Sequence, residues 1–401
     1  MSAPPPATAS SRMDWILECP ACRRTASPAG LPTVCECGQP WLVQYPGRSH
    51  GIPDHLRTVP GLGMWRLRSF LPLGEGEEPV TLGEGDTPLI PVARIGARIG
   101  LPLSVVKDEG VNPTGSFKAR GLAAAVTRAV AGGARSFTLP TAGNAGVAAS
   151  AYGARAGVPV RVFAPRTTPA PLLAQIRVFG GDLQLVDGHI GDCGRASRAH
   201  AAETGAFDLS TLREPYRIEG KKTLGLELAE QLDWRLPDAI IYPTGGGTGL
   251  IGMWKAFLEL RDAGWIPVSA PLPRMFTVQA TGCAPIVKAF EAGTETAEPW
   301  KDPRTLASGL RVPAPLGDRL ILRALRESRG AAVAVPDEDL MEAAREGGRL
   351  EGIDFAPEGG ASIAAARVLR ERGVLGGDDR VVLFNTGAGW LYRATAELPG
   401  G

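Results

Sequence analysis

The stretch that decides the fold is Ala239-Ile240-Ile241-Tyr242-Pro243-Thr244-Gly245-Gly246-Gly247-Thr248-Gly249. An apolar run leads into a glycine loop, and residues 248–264 continue as a helix-like segment. A strand that passes through such a loop into a helix indicates a parallel βαβ unit. The loop N–H groups can converge on a phosphate at the positive end of the helix. A tight turn without a ligand is the alternative, because the loop matches neither the NTPase nor the GxGxxG pattern.

Short apolar strands alternate with Ala- and Leu-rich helices from about residue 61 to residue 389. We therefore predict an α/β fold, with two domains built on parallel-rich twisted sheets that helices flank. Ligands on such sheets bind at the carboxyl ends of the strands. The loops at these ends are residues 112–117, 140–144, 243–249 and 385–389.

Length and charge narrow the class of protein. A chain of 401 residues suggests two or three domains. Lys and Arg number 43 and Asp and Glu 42, so charge favours neither a nucleic acid nor a membrane as partner. No apolar run reaches the roughly 20 residues of a membrane-spanning helix. Residues 1–11 have the composition of a disordered tail and not of a signal peptide, so we expect a cytoplasmic protein.

Four cysteines cluster within residues 12–60, in the pattern C-x₂-C, twelve residues, then C-x-C-G. Tetrahedral Zn²⁺ accepts four thiolates, and the glycine permits a tight knuckle turn. We predict a zinc-ribbon-like module with a structural role, and four free thiols are the alternative. The proposed ligands are Cys19, Cys22, Cys35 and Cys37.

Lys118 lies in a loop that runs into a helix, within the sequence N-P-T-G-S-F-K-A-R-G (112–121). A helix N-terminus and a nearby arginine such as Arg120 both lower the pKa of a lysine, which favours its use as a nucleophile. Spacing alone explains Lys118 equally well as a surface lysine at a helix start.

The segment P-T-G-S-F-K-A-R-G (113–121) resembles the lysine motif of the fold type II enzymes that use pyridoxal 5′-phosphate (PLP). Three further segments resemble motifs of that family and occur in the family's order: T-A-G-N-A-G (141–146), the glycine loop (245–249) and N-T-G-A-G (385–389). The chain is thereby identified as a member of the threonine synthase/serine dehydratase superfamily.

The resemblance implies PLP as the cofactor and assigns a role to each motif. Lys118 would hold PLP as a Schiff base and then act as general base, and Asn144 would bond the phenolate oxygen. The glycine loop with Thr248 would hold the 5′-phosphate. Thr386 would face the pyridine nitrogen, which suits elimination and replacement chemistry. Phe117 would stack near the ring, although packing alone would explain it.

The resemblance also implies a small amino-acid substrate. Thr141 and the backbone amides of Ala142 and Gly143 would hold its carboxylate. The segment R-I-E-G-K-K-T (217–223) is similar to R-I-x-G-Q-K-T of threonine synthases, as is E-G-D-T-P-L (84–89) to their entry motif.

The substrate implied by these threonine synthase motifs is O-phospho-L-homoserine, which water would convert to L-threonine and phosphate. Arg217 and Lys222 would bind its phosphate group. Salt-bridged residues at a helix start are the alternative for both side chains.

Some residues depart from the threonine synthase pattern, including Ala119 within the lysine motif and Ser210-Thr211 before Arg217. They leave open a threonine/serine dehydratase, or another β-elimination or β-replacement enzyme of the same fold. A catalytically silent PLP-binding protein is less favoured because the motif set is complete. The balanced charge disfavours a zinc-ribbon protein that binds nucleic acid.

The domain division follows from the order of the motifs. We predict a smaller, mobile domain at residues 106–217 and a larger one at residues 61–105 and 218–401, with PLP between them. A homodimer is compatible with this arrangement.

Overall fold

The structure is a computed structural model that describes residues 13–47 and 62–393. The predicted tail at residues 1–11 and residues 48–60 of the cysteine module lie outside the described residues. Within the described ranges, no helix has the length and apolar character needed to cross a membrane.

Thirteen strands are found in the described part of the chain. They are β1 (Ile16–Glu18), β2 (Thr25–Ala26), β3 (Leu42–Gln44), β4 (Leu89–Pro91), β5 (Val105–Asp108), β6 (Phe137–Pro140), β7 (Val160–Pro165), β8 (Asp182–Val186), β9 (Phe207–Asp208), β10 (Ala239–Pro243), β11 (Arg274–Ala280), β12 (Ala331–Val335) and β13 (Val381–Asn385).

The same residues form eleven α-helices. They are α1 (Ala93–Ile99), α2 (Lys118–Ala131), α3 (Asn144–Ala156), α4 (Ala170–Val178), α5 (Ile190–Thr204), α6 (Tyr216–Gln231), α7 (Thr248–Asp262), α8 (Pro285–Glu291), α9 (Asp318–Glu327), α10 (Asp337–Glu351) and α11 (Pro357–Glu371). Short 3₁₀ helices occur at Gly63–Phe70, Glu109–Val111, Ser308–Leu310 and Gly389–Tyr392.

The larger sheet has six strands in the order β12-β11-β10-β13-β5-β4. All neighbours are parallel except β4, which runs antiparallel to β5 at the edge. Every residue of β10 and β13 is buried, which explains why these strands read as continuous apolar runs. The predicted α/β class with parallel-rich sheets is confirmed.

The smaller sheet has four parallel strands in the order β8-β7-β6-β9. Its strands all fall between residues 137 and 208, inside the range predicted for the smaller domain. The division into a fixed and a mobile domain stays a prediction.

The cysteine module is a three-stranded antiparallel sheet in the order β2-β1-β3. Its apolar side chains Trp15, Leu17 and Val43 are buried in one continuous cluster with Leu122 of α2 and Tyr216 of α6. The module is therefore packed onto the body of the protein through a shared core.

Candidate active site

The lysine loop and the last glycine loop are held together by backbone pairing. Ser116 forms an isolated antiparallel bridge with Gly387. The N–H of Phe117 donates to the carbonyl of Thr386 at 3.1 Å. Two of the predicted loops therefore meet directly in front of Lys118.

A third loop, residues 141–146, turns sharply into α3 and reaches the same place. The Thr141 hydroxyl accepts the N–H groups of Gly143 at 2.9 Å and Gly146 at 3.0 Å, so it shapes the loop itself. Gly143 has a φ of +137°, which favours glycine. Asn144 begins the helix, and its Nδ2 donates to the Tyr392 hydroxyl at 2.8 Å.

The glycine loop connects β10 to α7 and is closely enclosed. Gly247 precedes the helix with a φ of +75°. A Cβ added at Gly249 would collide with the Tyr242 hydroxyl, and one at Gly246 would lie 3.0 Å from the Thr211 methyl group. A side chain at Gly249 would not fit without a shift of Tyr242, and the loop lies beside Thr211 at the N-terminal end of α7.

Lys118 begins α2 and is partly buried, with Nζ 4.3 Å from the centre of the Phe117 ring. Burial lowers the pKa of Lys118 to about 7, the positive charge of Arg217 acts in the same direction, and Glu358 opposes both. At pH 7 about half of such an amine is neutral, and the neutral amine is a competent nucleophile. The arginine charge that acts on Lys118 belongs to Arg217, whereas the sequence pointed to Arg120.

Arg120 instead forms a buried ion network that joins β5, α2 and α6. Its guanidinium pairs with both oxygens of Glu109 at 2.7 and 2.8 Å and with both oxygens of Glu227 at 2.9 and 3.0 Å. Lys107 completes the network with an ion pair to Glu227 at 2.5 Å. All four side chains are fully buried.

Arg217, whose charge acts on Lys118, has buried hydrogen-bond donors without a partner among the described residues. Its Nη1 donates to the carbonyl of Leu209 at 2.8 Å, while Nε and Nη2 are buried without a hydrogen-bond partner among the described residues. The Glu214 carboxylate accepts the backbone N–H groups of Tyr216 and Arg217. Buried guanidinium donors left open in this way fit an anionic ligand.

The structure does not bring Lys222 into the group around Lys118. Its Nζ forms ion pairs with Glu219 at 2.6 Å and Glu259 at 2.8 Å, and it lies 4.5 Å above the Tyr45 ring. The lysine that shares the helix face of Arg217 is Lys221, four residues along α6. These ion pairs match the alternative of a salt-bridged residue, and the phosphate role of Lys222 stays a prediction.

Sequence reasoning missed Glu358 as a neighbour of Lys118. Its Oε1 accepts the N–H of Gly309 at 2.7 Å, and burial raises the pKa of its carboxyl. A signal was present in the segment A-P-E-G-G (356–360), because two glycines inside a helix weaken it and point to close packing. A Cβ on Gly360 would indeed collide with the carbonyl of Leu340.

The residues around Lys118 fit PLP. Lys118 supplies an amine for its aldehyde, and the glycine loop with the start of α7 supplies N–H groups for its phosphate. Within residues 13–47 and 62–393, the buried polar atoms without a hydrogen-bond partner include Thr114 Oγ1, Ser116 Oγ, Asn144 Oδ1, Glu358 Oε2 and the two Arg217 nitrogens, all in the loops and helices around Lys118. Such atoms are costly unless a ligand or water satisfies them.

The four clustered cysteines lie where the sequence predicted them to meet. Their sulfur atoms all lie within 4.8 Å of one another. The Cys19 and Cys37 sulfurs are 3.5 Å apart and those of Cys22 and Cys35 are 3.6 Å apart, near the roughly 3.8 Å edge of a tetrahedral zinc–thiolate site. Gly38 forms the knuckle turn with a φ of +82°. The cluster fits a structural Zn²⁺ ion.

Comparison of the sequence with known proteins shows to which enzyme family the chain belongs. The profile of the family described as "Pyridoxal-phosphate dependent enzyme" matches residues 80–387. The threonine synthase of Methanosarcina acetivorans is 38% identical over 325 residues, covering 81% of this chain and 79% of that protein. The threonine synthase of Methanocaldococcus jannaschii is 34% identical over 377 residues, covering 93% of this chain and 92% of that protein.

Solved structures agree on the fold. Maize serine racemase has a TM-score of 0.66 at 22% identity and covers 77% of this chain and 91% of its own. The processed form of threonine deaminase isoform 2 from Solanum lycopersicum has a TM-score of 0.63 at 20% identity and covers 79% of this chain and 88% of its own. The chain therefore belongs to the pyridoxal-phosphate dependent enzymes and is a homologue of the threonine synthases.

Proposed function

We propose that this protein is a threonine synthase, which converts O-phospho-L-homoserine and water to L-threonine and phosphate. The observation that carries the proposal is the set of curated threonine synthases from archaea and bacteria that are 33–38% identical over at least 80% of the chain. The open guanidinium of Arg217 near Lys118 supports it, because an enzyme for a phosphorylated substrate needs a cation there.

The cofactor roles are proposed on the same basis. Lys118 would hold PLP, and the N–H groups of residues 245–249 would bind its phosphate. Asn144 would contact the phenolate oxygen through the amide hydrogen that Tyr392 does not accept, and Thr386 would face the pyridine nitrogen. Bound PLP would supply the electron sink that acidifies the α-carbon hydrogen.

Side chains and backbone groups of this chain would carry out proton transfer, substrate binding and the exclusion of water. Lys118, with a pKa of about 7, would take the protons at the α-carbon and then the β-carbon, return the α-proton, and accept the proton of the water that adds at the β-carbon. Arg217 would hold the phosphate as the bond between the γ-carbon and its ester oxygen breaks. Thr141 and the amides at the start of α3 would hold the substrate carboxylate. Movement of the domain at residues 106–217 would exclude bulk water until one water adds.

Replacing Arg217 with methionine tests the substrate. We expect kcat/KM for O-phosphohomoserine to fall by about 100-fold or more, because a buried charge-assisted contact to the phosphate is lost. Phosphate release and threonine formation are measured together. Arg213→Met, in the loop just before α6, serves as the control and should change kcat/KM less than about threefold.

Deamination assays separate the dehydratase alternative from the synthase. The unmodified enzyme should turn over O-phosphohomoserine far faster than threonine or serine. Rapid threonine deamination that survives Arg217→Met, with no phosphate release in either protein, would refute the synthase assignment.

We also propose that the four-cysteine cluster binds one structural Zn²⁺ ion. Purified protein should contain about one zinc per chain by elemental analysis, and Cys19→Ser/Cys22→Ser should lose it. Loss of zinc should lower the unfolding temperature, because the module shares the core of α2 and α6. Cys193→Ser is the control and should leave the zinc content unchanged. Zinc-free protein with the same unfolding temperature as zinc-loaded protein would contradict this role.

We propose that the enzyme acts in the cytoplasm as a homodimer on a small amino-acid substrate. Light scattering of the PLP-loaded protein measures the oligomeric state directly.

A further inference from the structure

Lys221 is a fully buried lysine on α6 that lies close to the start of α2, where Lys118 is found. Its Nζ donates a hydrogen bond to the backbone carbonyl of Phe117, the residue before Lys118. The same nitrogen lies 4.1 Å from the centre of the Phe117 ring. Lys221 therefore contacts both the backbone and the side chain that lead into Lys118.

Two glycines make this contact possible by letting α2 and α6 approach closely. A Cβ on Gly121 would lie 2.9 Å from Lys221 Cε and 3.1 Å from its Nζ. A Cβ on Gly220 would collide with the carbonyl of Arg120. The amine is therefore confined between the two helices, and its direction is fixed by packing.

The surroundings of Lys221 disfavour a positive charge. Burial lowers the pKa of Lys221 well below its ordinary value, Lys118, Arg217 and Arg120 act in the same direction, and Glu109 opposes them. The Glu109 carboxylate is already paired with Arg120. The surroundings of Lys221 therefore favour the neutral form of the amine that donates to Phe117.

The Phe117–Lys118 junction is held from two sides. The Phe117 N–H donates to the Thr386 carbonyl at 3.1 Å, and the Phe117 carbonyl accepts from Lys221. The related motif R-I-x-G-Q-K-T has glutamine at the position of Lys221, and a glutamine amide is also a neutral donor. Both side chains can serve the same carbonyl.

We propose that Lys221 is a positioning residue that fixes the Phe117–Lys118 backbone from α6 and so directs the Lys118 amine toward the cofactor. This inference rests on the proposed attachment of PLP to Lys118. Lys221 itself touches neither substrate nor cofactor in this scheme. Its effect passes through one backbone carbonyl, so a donor of similar reach should replace it.

Two substitutions test the positioning role. Lys221→Met removes the donor, and we expect the dissociation constant of PLP to rise about tenfold and kcat to fall about tenfold, with KM changed less than about threefold. Lys221→Gln keeps a neutral donor and should restore both quantities to within about threefold of the unmodified enzyme. PLP binding is followed by its visible absorbance. A Met variant that binds PLP normally, or a Gln variant as impaired as Met, overturns the proposal.

A pH series tests the neutral amine independently of activity. Because the pKa of Lys221 is lowered on folding, the unfolded chain binds one more proton, and stability rises with pH up to the ordinary lysine value of 10.5. In the PLP-free protein, Lys221→Gln should reduce the pH slope of the unfolding free energy in the range below the ordinary lysine pKa of 10.5. Lys288→Gln, at an exposed lysine, should keep the slope. A Gln variant with the unmodified slope contradicts the lowered pKa of Lys221.

One further measurement separates this inference from its premise. Borohydride reduction of the unmodified enzyme, followed by peptide mass analysis, shows whether PLP is attached to Lys118. If the label lies elsewhere, the premise and the positioning role both fail. If it lies on Lys118 and Lys221→Met behaves normally, the positioning role alone fails.

Discussion

Replacing Lys118 with alanine should abolish covalent attachment of PLP and lower kcat by at least about 10³-fold. The side chain is proposed both to hold the cofactor and to move the proton at the α-carbon, and general acid–base catalysis alone contributes about 10² to 10⁴. Phosphate release measures the rate. Mass analysis after borohydride reduction measures the attachment.

The control for this change is Lys288→Ala, at an exposed lysine paired with Glu298. It should retain full activity and full labelling by PLP and borohydride. A Lys118→Ala protein that still carries reducible PLP on another residue and turns over at a comparable rate would contradict the assignment. Circular dichroism confirms that a loss of activity is not a loss of folding.

Replacing Arg120 with methionine should destabilise the protein by about 3–5 kcal/mol, as breaking buried ion pairs does. Glu109 and Glu227 would then share only Lys107 as a counter-charge, and all three side chains are fully buried. The unfolding free energy is measured by urea denaturation. The loss should exceed that of Arg161→Met, whose partner Asp182 is largely exposed.

The double variant Arg120→Met/Glu109→Gln identifies the cause of that loss. Removing the second charge leaves Lys107 and Glu227 as a balanced pair, so the double variant should be more stable than Arg120→Met alone. A double variant that loses the sum of both single effects would show that packing and not charge dominates at this site.

The sequence predicted correctly those strands, loops and residue clusters whose local pattern matches their burial in the folded protein. Buried parallel strands such as β10 and β13 are continuous apolar runs, and each is followed by a glycine loop. Lys118 at a helix start and the meeting of the four cysteines were predicted from the same kind of local signal. These features depend on residues close together in the chain.

The rest depends on contacts between distant segments, which spacing does not reveal. Glu358 approaches Lys118 from a helix that begins about 240 residues later. The sequence could not tell that Lys221, and not Lys222, faces Lys118, because the orientation of α6 is set by its packing against α2 and α7. The antiparallel edge strand β4 is similarly set by tertiary pairing with β5.

The hydroxyl of Tyr45 in the cysteine module donates to Glu219 of α6 at 2.7 Å, and Glu219 in turn pairs with Lys222 and Lys255. The module thus caps a set of charges that would otherwise meet water on the helix that carries Arg217. Deleting the module would therefore expose part of the core and these charges. A shortened chain that begins after residue 47 should be less stable and less suitable for expression or crystallisation. Loss of the module would remove the Tyr45 side chain that contacts Glu219, Lys222 and Lys255.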